Sequence, residues 1–454
     1  MPLNIPITLN EIQELDKKYN TPYYLYDETG IKNNAIEYIN IFKKYFPKFR
    51  QYYAVKALPN PSILKILADC GMGFDCSSPE EIKLVHLMND TNKIKDSEII
   101  YTSNYTSSSD LEFAKNNNVL INLDDIDGLY NLINVSKCAP KKICFRYNPV
   151  LTSDVTTDVK SNNFTGNQTK FGMDLENLLN SYKLAKEYGV SYFGLHTMCA
   201  SNCMDISYWE DLIDNIFFCI HSIKEQLKID IKFIDIGGGI GIPYKPEENK
   251  INIEELAQLI RLRFDYNMKK YSLIYEPNLY TECGRYITGP YGWLVAKCES
   301  IKRKKDIDFY GLDANMSSLM RPGMYNSYHH ITIPRINYEN ILLRKSNVVG
   351  TLCENNDWFA KNRFLPMGIT KGDYFVIHDV GAHGHSMGFN YNSKLRCPEL
   401  LLQEDKNIIL IRKRETFNNL VMNTKTYKDN KLMVIFGQIC IIFAMFLTLY
   451  FLFY

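Results

Sequence analysis

Between about residue 48 and residue 285, short strand-like runs alternate with helix-like ones, and this alternation constrains the fold more than any other feature of the chain. The strand-like runs are β-branched or aromatic and bounded by turn residues. In order they are QYYAVKA (51–57), MGFDCSS (72–78), EIIYTS (98–103), VLINLDD (119–125), KICFRYN (142–148), SYFGLHTM (191–198), KFIDIGGG (232–239) and a last one within LIYEPNLYTECGR (273–285). Helix patterns such as NPSILKILADCG, SPEEIKLVHLMN, LENLLNSYKLAKEYG and SYWEDLIDNIFFCIHSIKEQL separate them. Ser78 with Glu81 reads as a capping box opening the second of these. Eight such strands is the count of a (β/α)8 barrel, with an open doubly wound sheet as the alternative. Lys56, Asp75, Asn148, His196 and Gly237 to Gly239 all fall at the C-terminal ends of strands. In a barrel those ends share one mouth, whereas in an open sheet they would spread along an edge. The expected class is therefore α/β with a TIM-like (β/α)8 barrel.

From about 286 to 420 the texture changes to β-rich segments without long helices between them, among them GWLVAKCESIKRK, DIDFYGLDA, NVVGTLC, DYFVIHDV and NIILIRKRE. With 454 residues, two domains are expected. The reading is an N-terminal segment (1–35) that adds PYYLYD as a strand to the β domain, a barrel (36–285), a C-terminal mostly-β domain (286–420), a linker (421–431) and a tail (432–454). That tail is almost unbroken apolar sequence with only Gln438 and Thr448 clearly polar, long enough for a spanning helix of roughly 20 residues. Lys425, Lys428 and Lys431 precede it and no charge follows, the pattern of a transmembrane tail anchor with the body on the cytoplasmic side. A buried C-terminal helix is the alternative. The N-terminus lacks the charged start and apolar core of a signal peptide. The formal net charge of +1 gives no global field for nucleic acid. The 12 cysteines are scattered without a CxxC pair, so no metal site is expected, and a reducing, cytoplasmic compartment is. The stretch at 153–174 is expected to be a mobile loop near the mouth.

Three motifs carry candidate chemistry in the barrel. Lys56 ends an apolar strand, where desolvation would lower its pKa as a Schiff-base amine requires; taken alone, it reads as a lysine snorkelling to solvent. FIDIGGGIG (233–241) runs a strand into three glycines, a cradle for an anion, with a following helix N-terminus expected to favour phosphate. YTECGRYITGP (280–290) sets Glu282 and Arg285 at the end of the eighth strand, where a carboxylate could keep a pyridine nitrogen protonated; a surface Glu–Arg pair is the bland alternative. In the β-rich part the polar islands are DANMSSLMRPGMYNSYHH (313–330), VGTLCENNDWF (349–359) and HDVGAHGHSMGFNYNSKLR (378–396). Arg321 and Arg285 suit carboxylates, and Cys353 beside Glu354 offers a proton donor, although a cysteine is often just a small apolar residue.

On these residues the sequence resembles a family. YYAVKALPNPSILKILADCGMGFDCSSPEEIKLV, FIDIGGGIG, ECGR, DANMSSLMRPGMY, CENND and SMGFNYN look like the ordered motifs of diaminopimelate decarboxylases, fold-type III pyridoxal-phosphate enzymes related to ornithine decarboxylase and alanine racemase. The likeness runs through most of residues 20 to 415. It implies that Lys56 carries pyridoxal 5′-phosphate as a Schiff base. It implies that Gly237, Gly238 and Gly239 and the backbone of Glu282, Cys283, Gly284 and Arg285 cradle the phosphate, with His196, Ser201 and Tyr391 also at the cofactor. Glu282 would pair the ring nitrogen. Arg285, Arg321, Tyr325, Glu354 and Tyr391 would bind a small amino-acid substrate, and Cys353 would be the catalytic proton donor. Cys353 and Glu354 would act in a partner's site, which implies a homodimer. The implied reaction is decarboxylation of meso-2,6-diaminopimelate to L-lysine, the last step of lysine biosynthesis; the alternatives are a decarboxylase for ornithine or arginine, a racemase, or a non-catalytic regulatory protein. Two departures stand out. Cys283 replaces the proline of the family's EPGR. In His196-Thr-Met-Cys-Ala-Ser201, Met198 takes the place of the histidine that stacks on the cofactor ring.

Overall fold

The computed structural model describes residues 5–425 apart from 90–93, 96–97, 137, 152–168 and 340. The apolar tail at 432–454 and most of the expected mobile loop lie outside the described residues. Among the described residues, no helix is long and apolar enough to cross a membrane.

The eight strands expected from the pattern close into one parallel barrel: β2 (Arg50–Ala54), β3 (Gly73–Cys76), β4 (Ile99–Thr102), β5 (Leu120–Leu123), β6 (Lys142–Arg146), β7 (Tyr192–His196), β8 (Ile231–Asp235) and β9 (Asn278–Thr281). β9 pairs back onto β2 (Arg50↔Tyr280, Gln51↔Thr281), which rules out the open sheet. Each strand is a few residues shorter than its apolar run, because the last residues turn over the mouth. Lys56 thus stands in a 3₁₀ turn, Val55–Ala57, just past β2. The connecting helices bury their apolar stripes on the barrel. Asn60 caps Pro61–Asp69, and Ser78 caps Pro79–Met88 by accepting the Glu81 N–H at 3.2 Å. The expected capping box is only half made, because the Glu81 carboxylate accepts from the Ser77 N–H at 2.6 Å and not from that of Ser78.

The second sheet has nine strands: β1 (Tyr23–Asp27), β10 (Gly292–Arg303), β11 (Asp308–Leu312), β12 (Ile331–Thr332), β13 (Leu343–Val349), β14 (Trp358–Pro366), β15 (Tyr374–Ile377), β16 (Glu399–Leu402) and β17 (Ile408–Arg412). Its main path is β14-β13-β11-β10-β1-β16-β17. β1 sits in the middle, antiparallel to β10 and parallel to β16, and four of its five residues are buried. The PYYLYD segment therefore fills a gap that the C-terminal strands leave open. From β1 the chain enters the barrel through one continuous helix, Glu28–Tyr45, so a break expected at residue 35 falls inside a helix.

Candidate active site

The C-terminal ends of the barrel strands gather a dense set of charges around one cavity of about 440 Å³, which Lys56, Arg146, His196, Met198 and Glu282 help to line. Neighbouring strands set the first pair. β2 and β3 are in register at Ala54↔Asp75, and two residues further on the Lys56 Nζ donates to Asp75 Oδ2 at 2.8 Å. Asp75 is fully buried while Lys56 opens into the cavity. This corrects the expected pKa of Lys56. Burial alone would depress it, but the carboxylates of Asp75 and Glu282 outweigh burial and hold the ammonium well above its ordinary range. Asp75 itself is pushed up to about 6 by burial and by Glu282, against the pull of Lys56.

β7, β8 and β9 deliver the second group. His196 ends β7, Asp235 ends β8 and Glu282 follows β9; their ligand-type atoms lie within 4.8 Å of one another, and all three are buried. His196 Nε2 is 3.3 Å from Glu282 Oε2. Burial pushes Glu282 up, but His196, Lys56 and Arg146 outweigh it and keep the carboxyl below its ordinary value. Asp235 goes the other way: burial and the Glu282 charge raise it far above the carboxylate range, so it is neutral. Arg146, at the end of β6, bonds the Met198 carbonyl at 3.0 Å and lies 3.5 Å from Asp124.

The three glycines wrap the end of β8 tightly. Gly237 and Gly239 have φ of +68° and +95°, and a Cβ there would stand 2.6 Å from the Thr197 carbonyl and 2.5 Å from that of Ala200. Only glycine fits both restraints. The Gly237 N–H donates to Asp235, its carbonyl accepts from Glu282 N, and Gly238 N–H points at Met198 Sδ (3.3 Å). The expected helix does not follow: the next one begins at Ile253, so the cradle is a backbone turn without a helix terminus behind it.

ECGR is buried, which removes the surface-pair alternative. Cys283 donates its N–H to Gln51 Oε1 (3.3 Å), a bond that proline could not make. Its thiol lies beside the Tyr38 hydroxyl at 3.3 Å, and burial pushes it up to about 12, so it is a packing residue and not a nucleophile. Arg285 bonds the Tyr244 hydroxyl and Ser201 Oγ (3.2 Å). Arg321 reaches His329 Nε2 and Ser327 Oγ, each at 3.4 Å. Both guanidinium groups stack on the Tyr244 ring, at 5.7 and 5.2 Å from its centroid. His383 completes this side. Its backbone N–H is bonded to the Ala57 carbonyl, and burial together with the charges of Arg285, Arg321 and Lys56 keeps the imidazole neutral.

Lys56, His196, Ser201, Gly237 to Gly239, Glu282 to Arg285 and Arg321 are thus brought together. Cys353, Glu354 and Tyr391 are not: all three are exposed on the β domain, where the Cys353 N–H bonds Asn392 Oδ1 and Glu354 caps Asn356. Tyr325 is half-buried at the end of the short helix Arg321–Tyr325. Sequence reasoning missed Arg146, Asp235, Tyr244 and His383 as site residues, and saw Asp75 only as a strand-end polar group. For Arg146 and Asp235 the available signal was the same strand-end position.

The profile of the pyridoxal-dependent decarboxylase pyridoxal binding domain matches residues 33–289, more than half the chain. This chain belongs to the pyridoxal-dependent decarboxylases. Its cofactor is pyridoxal 5′-phosphate. Among curated members of the family, it is 36% identical to Protein TabA of Pseudomonas amygdali pv. tabaci, over 90% of this chain and 92% of that one. It is 33% identical to a diaminopimelate decarboxylase of Methanothermobacter thermautotrophicus, over the same shares. Among solved pyridoxal-dependent decarboxylases, the diaminopimelate decarboxylase of M. jannaschii in complex with L-lysine superimposes with a TM-score of 0.81 at 30% identity, covering 92% of this chain and 94% of that one.

Proposed function

We propose that this chain decarboxylates meso-2,6-diaminopimelate to L-lysine and carbon dioxide. The observation that carries the reading is the pair of buried arginines, Arg285 and Arg321, stacked on one Tyr244 ring. Two guanidinium groups suit a substrate with a carboxylate at its far end. Ornithine and arginine lack that group and would make no use of a second guanidinium. The several relatives named as diaminopimelate decarboxylases, at 29–33% identity over 90% of the chain, point the same way.

The residues present fit the cofactor. A lysine and a buried, ionised carboxylate face one cavity, and a glycine turn that admits no side chain packs against Met198 and Glu282 of its lining. Lys56 would hold the cofactor, with Glu282 at the ring nitrogen. Gly237 to Gly239, Ser201 and the Cys283–Arg285 backbone would take the phosphate, and His196 and Met198 would border the ring. When bound, the cofactor supplies an electron sink for the carbon that loses carbon dioxide. The chain's own residues then do the rest. Asp75 holds the Lys56 proton close to the reacting centre. His196 keeps Glu282 ionised. Arg285 and Arg321 bind carboxylate, and Glu354 suits an ammonium. Cys353 delivers a proton to carbon from its Sγ. Because Cys353, Glu354 and Tyr391 lie exposed on the β domain, a second copy of the chain supplies Cys353 and Glu354, so the active form is a homodimer. We place the domains at 36–285 (barrel) and 286–420 (β), with β1 belonging to the second and the Glu28–Tyr45 helix running across the boundary at residue 35. The tail at 432–454 anchors the body to the cytoplasmic side of a membrane; a tail-deleted chain that still sediments with membranes would refute the anchor.

The test is carbon dioxide release by the purified protein with the cofactor present. Release from meso-diaminopimelate is expected. Release from ornithine or arginine alone would assign a different decarboxylase, and no release from any amino acid by a cofactor-loaded protein would leave a regulatory role. Borohydride reduction is expected to fix the cofactor on Lys56 and nowhere else.

A further inference from the structure

Arg285 comes from the barrel and Arg321 from the β domain, and two side chains behind them hold both. Tyr244, on the loop that follows the glycine turn, offers one ring to both guanidinium groups, 5.7 and 5.2 Å from its centroid, and its hydroxyl accepts from Arg285. His329, just ahead of β12, meets the same ring edge-on at 5.0 Å and 73°. Its Nε2 accepts from Arg321 Nε at 3.4 Å, and Ser327 Oγ accepts from Arg321 Nη2 at the same distance. His329 Nδ1 lies 2.8 Å from the His378 carbonyl. A carbonyl only accepts, so Nδ1 carries the proton and Nε2 keeps the lone pair that Arg321 needs. The His378 ring is itself pinned between Trp293 Nε1 (3.2 Å) and Thr332 Oγ1 (2.8 Å). Burial, and after it the charge of Arg321, holds His329 well below the ordinary imidazole range, so it stays a neutral acceptor.

Two like charges beside one ring repel each other, and a long arginine side chain left to itself spreads over many rotamers. The negative face of the ring and the lone pair of a neutral imidazole offset the repulsion and fix the planes of the two forks. Arginines fixed before a substrate arrives lose little further freedom on binding it, whereas loose ones lose much. His329 is fully buried and Tyr244 nearly so, and each therefore reaches a substrate only through the arginines. We infer that Tyr244 and His329 are positioning residues for substrate selection: they hold Arg285 and Arg321 as a rigid pair that reads the carboxylate at the far end of the substrate. This role rests on the diaminopimelate reading proposed above. It puts the discrimination between an amino acid with a distal carboxylate and an amine without one in a barrel tyrosine and a β-domain histidine that touch each other. Selectivity is then built only where the two domains meet.

The experiment compares L-lysine, the proposed product, which keeps only the distal carboxylate, with cadaverine, the same diamine without it. Binding of each to the cofactor-loaded protein is measured by calorimetry, which needs no turnover, and KM and kcat for meso-diaminopimelate are measured alongside. The parent should bind L-lysine at least about tenfold more tightly than cadaverine. His329→Phe keeps a ring on Tyr244 but removes the acceptor for Arg321, and Tyr244→Leu removes the shared ring. Each should weaken L-lysine by about tenfold and leave cadaverine within about threefold. Each should also raise KM by about tenfold with kcat within about threefold, the pattern of lost uniform binding. His329→Asn, which can still donate to the His378 carbonyl but is too short to reach Arg321, carries the same expectation if either larger change unfolds the protein. His329→Gln returns an acceptor and Tyr244→Phe keeps the ring, so both should stay within about threefold of the parent. A parent that binds the two amines equally overturns the role. So does a lysine preference that stays within about twofold of the parent in His329→Asn and in whichever of the two larger variants folds, or an equal loss of both amines. If meso-diaminopimelate is not decarboxylated yet the variants abolish the lysine preference, the reaction is wrong and the positioning stands. If it is decarboxylated and the preference survives the variants, the positioning falls and the reaction stands.

Discussion

Replacing Asp75 with asparagine keeps the shape of the side chain and removes one charge 2.8 Å from the Lys56 Nζ. At an effective dielectric near 20, two unit charges at that separation attract by about 6 kcal/mol. The Lys56 side chain is 48% exposed, so water screens a large part of this, and about 3 kcal/mol remains. At about 1.4 kcal/mol per pKa unit, the amine of Asp75→Asn should titrate about two units lower than in the parent. Only the unprotonated amine condenses with an aldehyde. The rate at which apoenzyme takes up pyridoxal phosphate, followed by visible absorbance across pH, therefore reports the amine directly. In Asp75→Asn the midpoint of that profile should move about two units toward acid, and uptake below the parent's midpoint should be up to about a hundredfold faster. An unmoved midpoint, or one moved toward base, would show that Asp75 does not set the charge of Lys56. Circular dichroism of the variant checks that the barrel is intact.

Three further outcomes rest on the same geometry. Asp235→Asn should hold the cofactor within about threefold of the parent because the native carboxyl is neutral, whereas Asp235→Leu strands the Gly237 N–H and should cost about 1–3 kcal/mol in cofactor affinity and stability; equal damage from both would mean that the carboxyl is ionised. Gly239→Ala puts a Cβ 2.5 Å from a carbonyl at φ of +95°, so a loss of about 2 kcal/mol or more is expected in thermal melts, and an unchanged Tm would refute the restraint. Burial holds His385 down to about 4, neutral between Arg396 and the Cys397 carbonyl. The unfolded chain takes up that proton from pH 6.5 downward and the folded one only near pH 4. Stability is thus full above pH 6.5 and falls toward pH 4 by about 3 kcal/mol, read by urea melts, and His385→Gln should flatten the slope.

The barrel was legible because each of its strands is a short β-branched or aromatic run ending in a polar or glycine residue, and the eight-fold repeat leaves few architectures. Residues at strand ends, such as Lys56 and Glu282, were legible for the same reason. The sign of the Lys56 shift was not, because it depends on which charge the neighbouring strand brings alongside. Burial argues one way, and Asp75 across the β2–β3 register reverses it. Tyr244 and His383 were hidden by topology, since each sits outside the strands: Tyr244 meets Arg285 across a barrel loop, and Arg321 and His383 join them only when the second domain packs on the mouth. The missing helix behind Gly239 shows that a glycine run marks a backbone that must turn tightly and carries no signal for the element beyond the turn.

The place of β1 in the middle of the second sheet ties together the two ends of the described chain. Its partners β10 and β16 lie about 270 and about 375 residues downstream. Contacts of that separation form late and slowly. During synthesis, Tyr23 to Leu25 emerge early as an apolar strand with both edges open, while the barrel that comes after it pairs neighbouring strands in turn and closes once β9 reaches β2. The β domain therefore cannot be completed until nearly the whole chain has left the ribosome. Until then the exposed strand is a place where two growing chains could pair with each other, a hazard that rises with local concentration.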